Sequence, residues 1–194
     1  MQELTQRQGE IINFSIEIIG EKGIQALTIK NIAQKLGVSE PAIYRHFKSK
    51  TAILLAILDT FEELFEFISD SLATQEISTL EKIEFIFSRI TAIFVASPAY
   101  VSVIFSEELF KNEESLQSKI NSLMETKARV INEIIADGQK TEEIRRDIEA
   151  ETLALMVMGS LRLLVKQWDL KNQRDTIEQD SKKLINALAL VLTK

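Results

Sequence analysis

The 194-residue sequence contains no cysteine, one histidine, two prolines and six glycines. Without cysteine there is no disulfide, no thiolate metal site and no thiol nucleophile. One histidine adds too little for a zinc site. No apolar run approaches the ~20 residues of a membrane span, and the start, MQELTQRQGE, lacks the basic-then-apolar order of an export signal. The expectation is a cytoplasmic protein with no cofactor, no metal and no membrane partner. Scarce proline and glycine leave long stretches free to stay helical, and apolar residues recur at steps of three and four rather than alternately, so the expected fold is all-α. An enzyme is not expected either. No nucleophile or paired carboxylates stand with a histidine, and Glu107 and Glu108, adjacent on a helix, cannot face one pocket.

What the sequence does have is a specific stretch from Thr28 to Lys50, TIKNIAQKLGVSEPAIYRHFKSK. Thr28 suits the cap of one short helix, Gly37 a left-handed break, and Ser39 the cap of a second helix with Pro41 close behind. Ile29, Ile32, Ala33 and Leu36 form one apolar stripe, while Lys30, Asn31, Gln34 and Lys35 face water. Val38 plugs the corner between the helices. In the second, Ile43 and Phe47 make an apolar i,i+4 pair that leaves Ser39, Glu40, Ala42, Tyr44, Arg45 and His46 outside. A helix that short is held only from behind. Presenting small and hydrogen-bonding side chains from a braced position is what entry into a DNA major groove requires.

The segment resembles the DNA-binding domain of TetR-family transcriptional regulators, on Thr28, Ile32, Ala33, Gly37, Val38, Ser39, Tyr44, His46, Phe47, Ser49 and Lys50. Glu40-Pro41-Ala42 and Arg45 depart from the residues more frequent at those places, which bears on base preference and not on the motif. The resemblance implies an N-terminal three-helix DNA-binding domain with a helix-turn-helix over residues 1–50. A helical effector-binding and dimerisation domain over residues 51–194 follows, with about nine helices in total. It also implies that Thr28, Lys30 and Lys50 contact phosphates through hydroxyl, ammonium and helix N-terminal amide groups, with Lys48 beside them. Tyr44 and His46 would meet the backbone too. Ser39, Glu40, Pro41, Ala42 and Arg45 would face base edges, Arg45 suiting guanine, Glu40 a cytosine amine, and Pro41 or Ala42 a thymine methyl. Other roles stay open: Glu40 as a helix-dipole partner, Arg45 as a phosphate contact, His46 as a hydrogen-bonding group inside the domain.

A net charge of −6 is at first sight wrong for a DNA-binding protein. Its distribution is not. Residues 1–50 hold 7 basic and 5 acidic side chains, the remainder 16 basic and 24 acidic. Lys30, Arg45, Lys48 and Lys50 cluster in and around the two-helix motif, and an acidic body would repel DNA from other faces.

Upstream, Thr5 to Lys22 reads as a bracing helix ended by Gly23. Downstream, a long helix from about Ser49 to Leu72 connects the motif to the rest. Ser78-Thr79-Leu80-Glu81 is a capping box for a helix to about Ala96. Ser97-Pro98 stops it and starts a shorter one carrying Tyr100 to Phe110. A helix from about Ser115 to Asp137 should end at Gly138. After a charged loop, in which Glu142 to Arg146 could form a helical turn, Asp147 should cap a helix reaching Trp168. The last helix runs from about Arg174 to Leu192.

Phe85, Phe94, Phe105, Phe110, Met124, Met156 and Trp168 are candidates to line an apolar ligand cavity, with ordinary core the competing role for each. The resemblance implies a small-molecule effector that weakens DNA binding. It also implies a homodimer through the last two helices, where Gly159 and Ser160 permit close approach, on a palindromic operator in double-stranded DNA; a monomeric core is the other option. The expected function is a homodimeric DNA-binding transcriptional repressor released from its operator by a small hydrophobic effector. The alternative is an architectural, nucleoid-occlusion-like protein acting through a protein partner.

Overall fold

The computed structural model describes residues 4–106, 113–171 and 176–193. Among them are nine α-helices and no strand: α1 Gln6–Lys22, α2 Ile29–Leu36, α3 Glu40–Tyr44, α4 Lys50–Ala73, α5 Thr79–Ala96, α6 Ala99–Ile104, α7 Glu114–Lys140, α8 Ala150–Lys171 and α9 Ile177–Leu192. A 3-10 turn, Ile24–Ala26, joins α1 to α2. The chain groups into two units, residues 1–63 with 97–121, and residues 64–96 with 122–194.

In the first unit, α1 opens on a full capping box. The Thr5 hydroxyl accepts from Gln8 N, and the Gln8 side chain accepts from Thr5 N at 3.0 Å. Its buried face, including Ile11 and Ile19, packs against α2, the 3-10 turn and α6. The Thr28 hydroxyl caps α2 by accepting from Asn31 N, and the Asn31 amide donates to Ala26 O at 2.7 Å, tying the helix to the turn before it. Gly37 ends α2 at φ 68°, a conformation that favours glycine. The Phe61 and Tyr100 rings stand 5.3 Å apart, centre to centre. Lys119, near the start of α7, reaches Asp59 and Glu62 of α4.

In the second unit, α9 packs on both α5 and α8. Ser78 and Glu81 form the expected capping box at the start of α5, with Ser78 N donating to Glu81 at 2.8 Å. The chain after α7 is pinned by Thr79 N donating to Glu143 at 2.6 Å and Arg145 N donating to Leu192 O at 2.8 Å.

The structure corrects several sequence expectations. Gly138 does not end α7, which runs on to Lys140. A Cβ there would press on the Thr79 side chain and lie 2.7 Å from Ile144 Cγ1, so the glycine admits a close approach instead. Helix α8 starts at Ala150, later than expected, and the Asp147 carboxylate is gripped by Arg145 at 2.7 and 2.8 Å. Glu142 to Arg146 makes bends and no helix, with Glu142 at φ 66°. Helix α6 stops at Ile104, and the Phe110 end of that expected helix lies outside the described residues. No helix among the described residues is long and apolar enough to cross a membrane.

Candidate nucleic-acid interface

Helix α3 is five residues long, too short to persist alone. Ile43 (1 % exposed) and Phe47 (7 %) anchor it from behind. Phe47 lies just beyond the helix but keeps its rhythm, since its N–H donates to Ile43 O at 3.0 Å. With those two fixed inward, Ser39, Glu40, Pro41, Tyr44, Arg45, His46 and Lys48 are exposed and Ala42 is half-buried. Tyr44, a ring that folding would normally cover, is 51 % exposed. Ser39 stands at the cap position yet makes no capping hydrogen bond, which leaves its hydroxyl available.

The two flanking helix starts complete the surface. Thr28 accepts from Asn31 N through one lone pair and retains its own O–H to donate. Lys30, in the first turn of α2, is exposed, whereas Lys50, which opens α4, is half-buried. Burial pulls the Lys50 ammonium below the usual lysine range. Ser49, not singled out as a cap by the sequence reading, accepts from Ala52 N at 3.1 Å and so caps the start of α4. Lys35 serves a different end. Its ammonium lies 2.9 Å from Glu17 and 3.0 Å from Glu21 of α1, and those hydrogen bonds hold its pKa above the ordinary value.

All eleven residues expected at a DNA surface thus lie in the first unit, around one short helix and two helix starts. Chemically the arrangement offers hydroxyl, ammonium, guanidinium and imidazole donors around an exposed aromatic ring, a set suited to phosphates and base edges.

The seven ligand-pocket candidates are less unified. Phe94 and Trp168 are buried in the second unit and Met124 is half-buried there. Phe85, half-buried in the same unit, is covered by the Arg89 guanidinium at 5.0 Å. Phe105 is half-buried in the first unit. Met156 is 45 % exposed on α8, with Leu155 and Leu163 also outward. Phe110 lies outside the described residues. The sequence reading did not single out Lys119 or the buried Lys127; the latter occupies an apolar stripe position on α7 with its ammonium 5.4 Å from the Phe65 ring centre. The signal for Lys127 is its spacing, four residues from Leu123 and four from Ile131.

Comparison with known proteins agrees with this geometry. A model of bacterial regulatory proteins of the tetR family matches residues 11–57, and one of the YsiA-like protein C-terminal region matches residues 58–191. The fatty acid metabolism regulator protein of Bacillus subtilis is 23 % identical over 167 residues, 85 % of this chain and 84 % of that one. The nucleoid occlusion factor SlmA of Vibrio campbellii is 28 % identical over 165 residues, 81 % of each. Among solved structures, FadR from Bacillus subtilis in complex with stearoyl-CoA superposes with a TM-score of 0.80 at 21 % identity, over 93 % of this chain and 97 % of that one. The fatty acid degradation regulator FadR from Bacillus halodurans gives 0.84 at 18 % identity, over 97 % of each chain. With the helix-turn-helix and the helical remainder both matched, the chain belongs to the tetR family of bacterial regulatory proteins and is a DNA-binding transcriptional regulator.

Proposed function

We propose that the chain acts in the cytoplasm as a homodimer, reads a palindromic operator through residues 1–50, and is released from it by a small hydrophobic effector received in residues 51–194. The observation that carries this reading is the split of residues 39–50 into two buried anchors, Ile43 and Phe47, and an exposed set of hydrogen-bonding side chains around them. Arg45 and Ser39 read bases with Glu40, Pro41 and Ala42. Thr28, Lys30, Tyr44, His46, Lys48 and Lys50 hold phosphates.

Pairing is supported by uncovered apolar side chains on the last two helices. Leu155, Leu163 and Leu170 on α8 are 72, 59 and 74 % exposed, and Leu190 on α9 is 82 % exposed. Nothing lies within 4 Å of a Cβ at Gly159, so the middle of α8 is open to another helix. Two short reading helices on a two-fold axis match two half-sites. A long acyl chain as the apolar part of the effector is supported by the likeness to FadR bound to stearoyl-CoA.

The test is to select duplexes bound by the protein from a random pool, then add stearoyl-CoA to the complex. Release at micromolar ligand is the expected result. A complex that persists in stearoyl-CoA and in other acyl ligands removes the effector part of the proposal.

A further inference from the structure

Helix α2 stands between the bracing helix and the reading helix: it packs on α1, and α3 packs on it. Its apolar stripe, Ile29, Ile32 and Ala33, is buried. Apolar contact is non-directional, so it presses α2 onto the core without fixing how far the helix slides or turns about its axis. Hydrogen bonds fix that. At the start of α2 the Asn31 amide donates to Ala26 O at 2.7 Å. At its end the Lys35 ammonium lies between two carboxylates of α1, 2.9 Å from Glu17 and 3.0 Å from Glu21. Glu17 and Glu21, one helical turn apart, share a face of α1 and so reach the same cation.

Lys35 lies in the last turn of α2, just ahead of the break. Gly37 follows in the left-handed conformation, Val38 N donates to Ala33 O at 3.0 Å, and α3 starts at Glu40. The last turn of α2 therefore sets the direction in which α3 leaves.

Three simpler roles for Lys35 fit less well. A cation in the last turn favours the helix dipole, but that role needs no carboxylate and here two are supplied. A phosphate contact is opposed by the same two carboxylates, which leave the group with one more negative charge than positive and so repel an anion. A plain stabilising pair is weak at this exposure, with the lysine side chain 25 % and the carboxylates 53 and 57 % exposed. What a doubly held cation does define is geometry.

We propose that Lys35 is a positioning residue of the DNA-reading surface: held by Glu17 and Glu21 of α1, it fixes the last turn of α2, and through it the angle at which α3 is presented, without touching a phosphate. This rests on the reading surface proposed above and adds a residue that acts on it from behind.

The experiment uses the full chain and measures binding to a duplex selected from a random pool and to a scrambled duplex over a series of salt concentrations. Lys35→Met should bind the selected duplex about three- to tenfold more weakly, the scale of one or two screened ion pairs. Its affinity for the scrambled duplex and its salt slope should match wild type. Lys35→Glu should lose more of the preference. Lys35→Glu combined with Glu21→Lys again places one cation between two carboxylates at the same net charge, and should restore most of it. A phosphate contact gives the opposite pattern: both duplexes weaken alike in Lys35→Met, the salt slope becomes shallower by about one, and the exchange restores nothing. That pattern, or an undiminished preference in Lys35→Met, overturns the inference. Should Lys35→Met fail to fold, Glu17→Gln with Glu21→Gln decides, since the preference should then fall although Lys35 remains, and an unchanged preference overturns the inference. A wild-type protein that favours no duplex contradicts the reading surface as well, whereas a preference insensitive to all these changes overturns the role of Lys35 alone.

Discussion

The Lys119 ammonium lies 2.5 Å from Glu62, with Asp59 at the same distance one turn earlier on α4. One cation therefore ties the start of α7 to the connector helix, in the unit that carries the reading surface. Burial opposes the charge, but the hydrogen bonds to Asp59 and Glu62 outweigh it and raise the lysine pKa above 10.5. The bridge therefore contributes fully below pH 10.5 and is lost as pH rises through the higher folded-state value. Lys119→Met should cost about 1 kcal/mol, since water still screens the pair. Its denaturant midpoint should fall at pH 7 and converge with wild type in strong alkali. A midpoint identical to wild type at pH 7 would show that the bridge contributes nothing.

Gly138 and Gly20 make a matched pair for a second prediction. Alanine is the better helix former by about 1 kcal/mol, and at Gly20 nothing lies within 4 Å of the added Cβ, so Gly20→Ala should raise the melting temperature. At Gly138 the same methyl meets the Thr79 side chain and Ile144. Gly138→Ala should lower stability by about 1–3 kcal/mol, as overpacking does. Thermal unfolding of the two variants side by side checks the opposite signs.

Acid should loosen the second unit through Glu143. The hydrogen bond from Thr79 N, followed by side-chain bonds from Thr79 and Thr141, holds this carboxylate below its ordinary value of 4.5 despite opposing burial. Its contribution is present above pH 4.5 and disappears as pH falls through the depressed value. Glu143→Gln should be less stable than wild type at pH 7 and should lose less of its melting temperature between neutral and acidic pH. Parallel curves for the two proteins would refute the role.

On the proposed reading surface two kinds of contact are expected. Arg45→Ala should bring the selected duplex toward random duplex, a loss of about 1–3 kcal/mol in discrimination. Lys50→Ala should weaken both duplexes alike and make the salt dependence shallower by about one unit of slope. Identical behaviour of the two variants would erase the division.

The reading motif is legible in the sequence because its determinants are local. Thr28 and Gly37 act on the backbone within a few residues, and the Ile43 and Phe47 spacing shows which side is buried. Less legible is whatever a distant partner decides. Gly138 looks like a helix end until Thr79, far back in the chain, is seen to need the space. Met156 sits in a stretch of α8 that is apolar nearly all round, so periodicity cannot distinguish its 45 % exposed side chain from buried Val157. Asp147 has the chemistry of a cap but meets Arg145. Nor does periodicity reveal that residues 97–121 group with residues 1–63.

The most direct test of the central claim is sedimentation of the protein with a selected duplex and with a scrambled one at about 0.15 M salt, where Debye screening is near 8 Å. The account predicts two chains on the selected duplex and binding at least about a thousandfold tighter than to the scrambled sequence. A single chain per site, or equal affinity for both duplexes, would contradict it.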